Sequence, residues 1–166
     1  MMTLRVEMTT PQLLAKHLRD VHFGGNWTSV DLKEQLADVT HEEATAPIPS
    51  FNTIVKLAYH IHYYVRTQLQ VLKGGVLDAH DKFSFDHPMI GSELEWNEFL
   101  TKCFNDAEDL AAEIEKLPEH RLAEAFTDPK YGTYHRNILG LIEHTHYHLG
   151  QIVILKKLLR NDRSSS

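Results

Sequence analysis

The chain has 166 residues, a 42% apolar and 24% charged composition, and a formal net charge of −6 with histidine neutral. That suits one domain with one core, and the lack of any basic run excludes a general nucleic-acid or anionic-membrane binder. No stretch approaches the ~18–20 consecutive apolar residues of a membrane span, MMTLRVEMTT lacks the apolar segment of a secretory leader, and the single Cys103 excludes an intrachain disulfide and a multi-cysteine zinc site.

A cytoplasmic protein is therefore expected. Thr10 and Pro11 predict the start of a helix with Leu14, Leu18 and Val21 on its stripe, stopped at Gly24 and Gly25. Next come Trp27, a short helix over 29–39, and a capping-box spacing from Thr40 to Glu43. Pro47 and Pro49 force extended chain. A second long helix is predicted over 52–72 with Ile54, Leu57, Ile61 and Tyr64 on its stripe. A long connection covers 76–91. Ser92 and Glu95 have capping-box spacing for a third helix, carrying Leu94, Phe99, Leu110 and Ile114 to about residue 117. The fourth runs over 133–160 with Leu141, His144, His148, Ile152, Leu155 and Leu159 on one stripe. Little reads as strand. The expected fold is all-α, a four-helix bundle. Its connections of roughly 15–30 residues exceed the usual ~2–8, so at least one is expected to cross over the bundle. Residues 1–160 are expected to form a single domain and 161–166 a disordered tail.

The 12 histidines ask for an explanation. In IEHTHYHLGQI, His144 and His148 stand at i and i+4 and share the apolar stripe. His146 lies about 200° round from His144. It is expected outward or sideways, as is His135. Two imidazoles on a core stripe need partners, because an unpaired buried polar ring costs a few kcal/mol. They share a metal, or they bond to carboxylates and backbone of neighbouring helices; the spacing leaves both open. A third ligand is available in LAYHIHYYV. His60 shares a face with Leu57, Ile61 and Tyr64, whereas His62 goes with Val55, Tyr59 and Arg66. Three neutral histidines would leave a fourth tetrahedral position for water, the layout of a catalytic rather than a structural site. His17 is expected as a buried hydrogen-bonding group or at a pocket edge rather than as a ligand.

Other chemistries fit less well. A zincin needs HExxH, but Thr145 follows His144. Glu143 and His146 make one ExxH with no second, against a di-iron centre. A nucleophile at Cys103 has no local support. Asn137 is expected to approach the site or the surface, and Gln151 to bond across the bundle. Gly150 is expected to permit close helix approach. Trp27, Tyr64 and Trp96 are candidate pocket walls or simple core. His80 and His87 are expected in a solvated loop or overhanging the bundle end. Glu113, Glu115 and Lys116 read as a solvated face.

HxxxH followed by GQI, the earlier LxxHI, GGNWTSVDLKEQLADVTHEEA and SFNTIVKLAYHI together resemble the DinB/YfiT-like superfamily. The resemblance runs from about Pro11 to Leu159. It implies a four-helix bundle with long crossover connections and a homodimer. It also implies a divalent metal, most often zinc or nickel, on His60, His144 and His148. Relatives implied by it include thiol-dependent transferases and isomerases using bacillithiol or mycothiol, and metal-dependent hydrolases. The expected substrate is a small molecule, with a low-molecular-weight thiol in the transferase case. The expected catalytic element is a metal-bound water at the open position, with no side chain assigned.

Overall fold

The computed structural model describes residues 7–164, and the side chains of residues 7–161. Its α-helices are α1 Thr10–Phe23, α2 Leu32–Ala37, α3 His41–Thr45, α4 Ile54–Leu72, α5 Glu93–Glu115 and α6 Tyr134–Ser164. Short 3₁₀ turns interrupt the connections at Asp81–Phe83, Glu119–Ala123 and Pro129–Tyr131. Among the described residues there is no strand, only an isolated bridge between Ala125 and Thr133. None of these helices is long and apolar enough to cross a membrane.

The helix starts follow the capping chemistry with small shifts. Thr9, not Thr10, caps α1, because Gln12 at the third position returns the bond to the Thr9 amide. The Thr10 hydroxyl is turned instead to Glu119. Thr40 and Glu43 form the reciprocal box of α3. Ser92 caps α5, but the Glu95 carboxylate takes the Gly91 amide at 2.7 Å rather than that of Ser92. Leu94 therefore sits in a first turn that precedes the core, 68% exposed, against its expected place on the stripe. α6 continues to Ser164, beyond the stop expected near Arg160; residues 165–166 of the expected tail lie outside the described residues.

The four long helices pack as neighbours in a ring. α1 meets α5 and α6, and α4 meets the same two helices from the other side. Leu18, Ile54, Leu57, Ile61, Leu110, Ile114, Ile138 and Ile152 fill the centre, each about 2% exposed or less. Burying each such side chain stabilises by about 1.5–3 kcal/mol. α2 and α3 lie within the connection from α1 to α4, and they help to bury Trp96, whose indole N–H donates to the Val39 carbonyl at 2.8 Å. Trp96 is core, not pocket wall. Trp27 is neither, being 99% exposed. Gly150 does not permit a close approach: a Cβ there would meet nothing within 4 Å.

α1 brings in a buried histidine, but it is His22 rather than His17, which is exposed. The His22 Nδ1–H donates to the Leu18 carbonyl at 2.8 Å. Burial pushes its pKa down to about 4. The folded state thus holds His22 neutral while the unfolded chain protonates it near 6.5. Its contribution is present above pH ~6.5 and is lost as pH falls toward 4, an effect of about 3 kcal/mol. Urea titrations of the wild type and His22→Leu between pH 7.5 and 4 should therefore diverge. The variant should lose less stability on acidification; parallel curves would show that His22 does not titrate with folding.

Candidate metal centre

α4 presents His60 and α6 presents His144 and His148 to one point between the two helices. One ring nitrogen from each lies within 4.8 Å of the others. The Nε2 atoms of His60 and His144 are 3.0 Å apart. The Nδ1–H of His148 donates to the Gln151 Oε1 at 2.6 Å, which fixes its tautomer and leaves Nε2 as a lone-pair donor. Gln151 acts within its own helix, one turn on, rather than across to a neighbour.

The connection over 76–91 folds back over this point as a strap. The Tyr63 hydroxyl accepts from the His80 amide at 2.8 Å and donates to the His80 carbonyl at 3.2 Å. The Tyr64 hydroxyl donates to Asp81 at 2.6 Å. These two tyrosines seat the turn so that Phe85 stacks on the His60 ring, 3.9 Å between centroids and 7° from parallel. Tyr64 also stands edge-on to His60 and to His144.

All three rings are held neutral. Burial, then His148 and His60, bring His144 down to about 4. Burial lowers His60, helped by His148 and opposed by the Ser84 backbone and Asp81. Burial lowers His148 against the bond from Gln151. Nδ1 of His144 is buried with no hydrogen-bond partner, and Nδ1 of His60 lies near the Ser84 backbone without meeting hydrogen-bond geometry. Facing Nε2 atoms can share only one proton, so at least one ring carries its proton on a buried Nδ1 without an acceptor, at a cost of about 1–3 kcal/mol; an ion would replace the shared proton and leave the Nδ1 atoms as they are. A tetrahedral ion with bonds of about 2.0–2.1 Å wants its nitrogens about 3.3 Å apart. The closest pair stands at 3.0 Å and all three nitrogens lie within 4.8 Å of one another. The donor set therefore fits a divalent metal ion of the borderline type.

A family model described as DinB superfamily matches residues 26–152. The chain belongs to the DinB superfamily. Comparison with curated proteins and with solved structures gives no match.

The remaining histidines of this DinB-superfamily chain stand apart from the triad. His146 is half-buried and lines a separate apolar groove with Leu149, Gly150 and Val153. His135 is exposed, and so is the imidazole of His80. His87 rests its ring near Tyr59. His62, set aside by the helical stripe, is 4% exposed, and its Nε2–H donates to Asp106 on α5 at 2.7 Å. Burial outweighs Asp106 and keeps His62 below its usual pKa. Burial also opposes the Asp106 charge, yet the bonds from His62 and Lys102 hold that carboxyl below the usual range. The pair is an ionised carboxylate and a neutral imidazole that tie α4 to α5. Cys103, close by, is buried, and burial followed by Asp106 pushes its thiol well above the ordinary value. It is a protonated core thiol rather than a nucleophile. Glu113 pairs with Lys116, and Glu115 with Arg19, on the solvated side of α5.

A cavity of about 640 Å³ opens beside His144. Tyr64, Gln68 and Gly140 line it, and Glu143 and Asn137 border it. Asn137 does not reach the triad. Its carboxamide donates to the Tyr131 and Thr133 carbonyls, and its backbone carbonyl accepts from the Gln68 side chain at 2.8 Å. Of the three aromatic candidates, Tyr64 alone walls the cavity.

Proposed function

We propose that this DinB-superfamily chain is a divalent-metal-dependent enzyme acting on a small molecule, a thiol-dependent S-transferase or a hydrolase. His60, His144 and His148 would hold one zinc or nickel ion. The observation that carries the reading is the convergence of three neutral imidazoles from two helices, one of which, His144, lines an open cavity. Bound there, such an ion supplies a Lewis acid that eases loss of a proton from a water or a thiol. The chain's own groups do the rest. Burial keeps the three imidazoles uncharged at neutral pH. Gln151 holds the tautomer of His148, and Phe85 holds the plane of His60. Burial and the bond to Asp81 push Tyr64 up to about 12, so a neutral hydroxyl stands at the cavity wall.

The same reading takes the fold as a four-helix bundle with crossover connections. The ring order supports it, since α1 and α4, successive long helices, both flank α5 and α6. It also takes the protein as a cytoplasmic homodimer. Tyr147, Ile154 and Leu158 are exposed along α6 and offer an apolar face.

Elemental analysis of protein purified without a histidine tag should find about one equivalent of a single divalent metal per chain. Screening thiols with electrophilic substrates, beside ester and amide hydrolysis, should then find turnover. Failure to take up zinc or nickel overturns the metal reading. Full loading with no turnover in any assay would support a metal-binding bundle without catalysis, against which the open cavity at His144 argues.

A further inference from the structure

The far end of the cavity is the first turn of α6, where Arg136 lines the wall. Among the described residues Arg136 makes no ion pair, although the chain carries 23 carboxylates against 17 lysines and arginines. The other arginines with described side chains are engaged: Arg19, Arg121 and Arg160 pair with carboxylates, and Arg66 covers the Tyr63 ring. The stem of Arg136 is nevertheless placed. It lies over Gly132, at φ 79°, where a Cβ would come within 2.6 Å of the arginine Cδ. Arg136 is an exposed residue at the cavity wall, and its guanidinium pairs with no carboxylate among the described residues.

The middle of the cavity has a second unexplained feature. Gly140 stands inside α6, where glycine costs about 1 kcal/mol relative to alanine. No packing demands it, since a Cβ there would meet nothing within 4 Å. What the glycine does is keep the cavity clear between Arg136 and His144, with Leu139 beside it.

We propose that the cavity binds a small organic acid, its carboxylate on the Arg136 guanidinium, its apolar body across Gly140 and Leu139, and its reacting end at His144. A guanidinium presents paired N–H donors that match a carboxylate. His135 and Glu143 line the same cavity; the Glu143 charge opposes any anion, and a phosphate dianion about twice as strongly as a carboxylate. Arg136 and His144 are eight residues apart on one helix, about 12 Å along its axis. The ligand therefore separates its carboxylate from its reacting atom by roughly 10 Å, within a cavity of ordinary ligand size. Assigning this acid as substrate rests on the metal-enzyme reading; its binding does not.

The test uses the full chain, metal-free and after zinc loading, titrated with 4-phenylbutyrate, 4-phenylbutanamide and phenyl phosphate by calorimetry or protein-detected NMR. Zinc content is measured on the same samples. The acid should bind at least about tenfold more tightly than the amide and the phosphate, with or without zinc. Arg136→Gln should abolish that preference, and Arg136→Lys should keep part of it. Gly140→Leu should block all three ligands while leaving the melting temperature unchanged or higher. No binding of the acid by the wild type overturns the proposal, as does equal binding of acid and amide or an unchanged preference in Arg136→Gln. If the preference is absent while zinc is bound, the inference fails and the metal reading stands. If the preference is intact and no zinc is taken up, the inference holds and the metal reading fails.

Discussion

His148→Ala, purified without a tag, should bind zinc about 10²–10³-fold more weakly than the wild type. Structural zinc sites are worth about 10–16 kcal/mol over four ligands, hence roughly 2.5–4 kcal/mol for each. His148 is the cleanest of the three to remove. His60 carries the stacked Phe85, so its loss disturbs the strap as well. His144 sits against Tyr64 and the cavity. His148 is 8% exposed; it gives up its bond to Gln151, which is itself half-buried and can turn to solvent, and edge-on ring contacts with His60, His144 and Tyr147, none of which seats a connection. Fold and stability of the metal-free variant should therefore be close to the wild type. Gln151→Leu should have the smaller effect, about 10–100-fold, because it frees the tautomer without removing a ligand. Competition titrations against a zinc chelator give both numbers. Unchanged affinity in His148→Ala would remove it from the ligand set.

Trp96→Ala should cost about 3–5 kcal/mol of folding stability. The indole is fully buried, stacks near Phe99, and satisfies the Val39 carbonyl at the end of α2. Truncation empties the seat and leaves that carbonyl without its donor. The contrast is Trp27→Ala, expected within about 0.5 kcal/mol of the wild type because the ring faces solvent. Urea unfolding followed by circular dichroism compares the two on equal terms. A loss below about 1.5 kcal/mol for Trp96→Ala would mean that the helices close over the gap.

The two tryptophans show where the sequence informs and where it does not. Trp96 falls one turn after a capping serine, on a stripe that continues through Leu100, Cys103, Ala107 and Leu110, all buried. Trp27 falls in a loop, where no period exists to say which side chain turns inward; Val30 and Leu32 do, and Trp27 does not. The triad was legible because i, i+4 spacing on an apolar stripe is a statement about direction. His62 was not, for a related reason. α4 lies between α5 and α6 and is buried on both sides, so Val55, His62 and Leu69 form a second inward row at heptad spacing. Reading one stripe per helix overlooks the second row. A heptad of buried types around a histidine, with an aspartate on a neighbouring helix, was the signal available. The strap was beyond reach: stacking of Phe85 on His60 depends on how a connection folds back, and two tyrosine hydroxyls fix it. Gly140 and Gly150 read alike in sequence, and only the space around them shows that neither serves a close helix contact.

The ring order also dictates how the chain assembles as it is made. α1 finds its first long partner in α5: the Arg19–Glu108 bond joins residues 89 apart. At ~5–20 residues per second of synthesis, that interval is on the order of ten seconds. Through it Leu14, Leu18 and Val21 have no long helix to cover them, and closure waits again for α6. α4 and α5 are the one consecutive pair of long helices that dock directly. The first long helices to emerge with a long partner beside them are thus α4 and α5, and α1, which meets only the short α2 before then, is covered later.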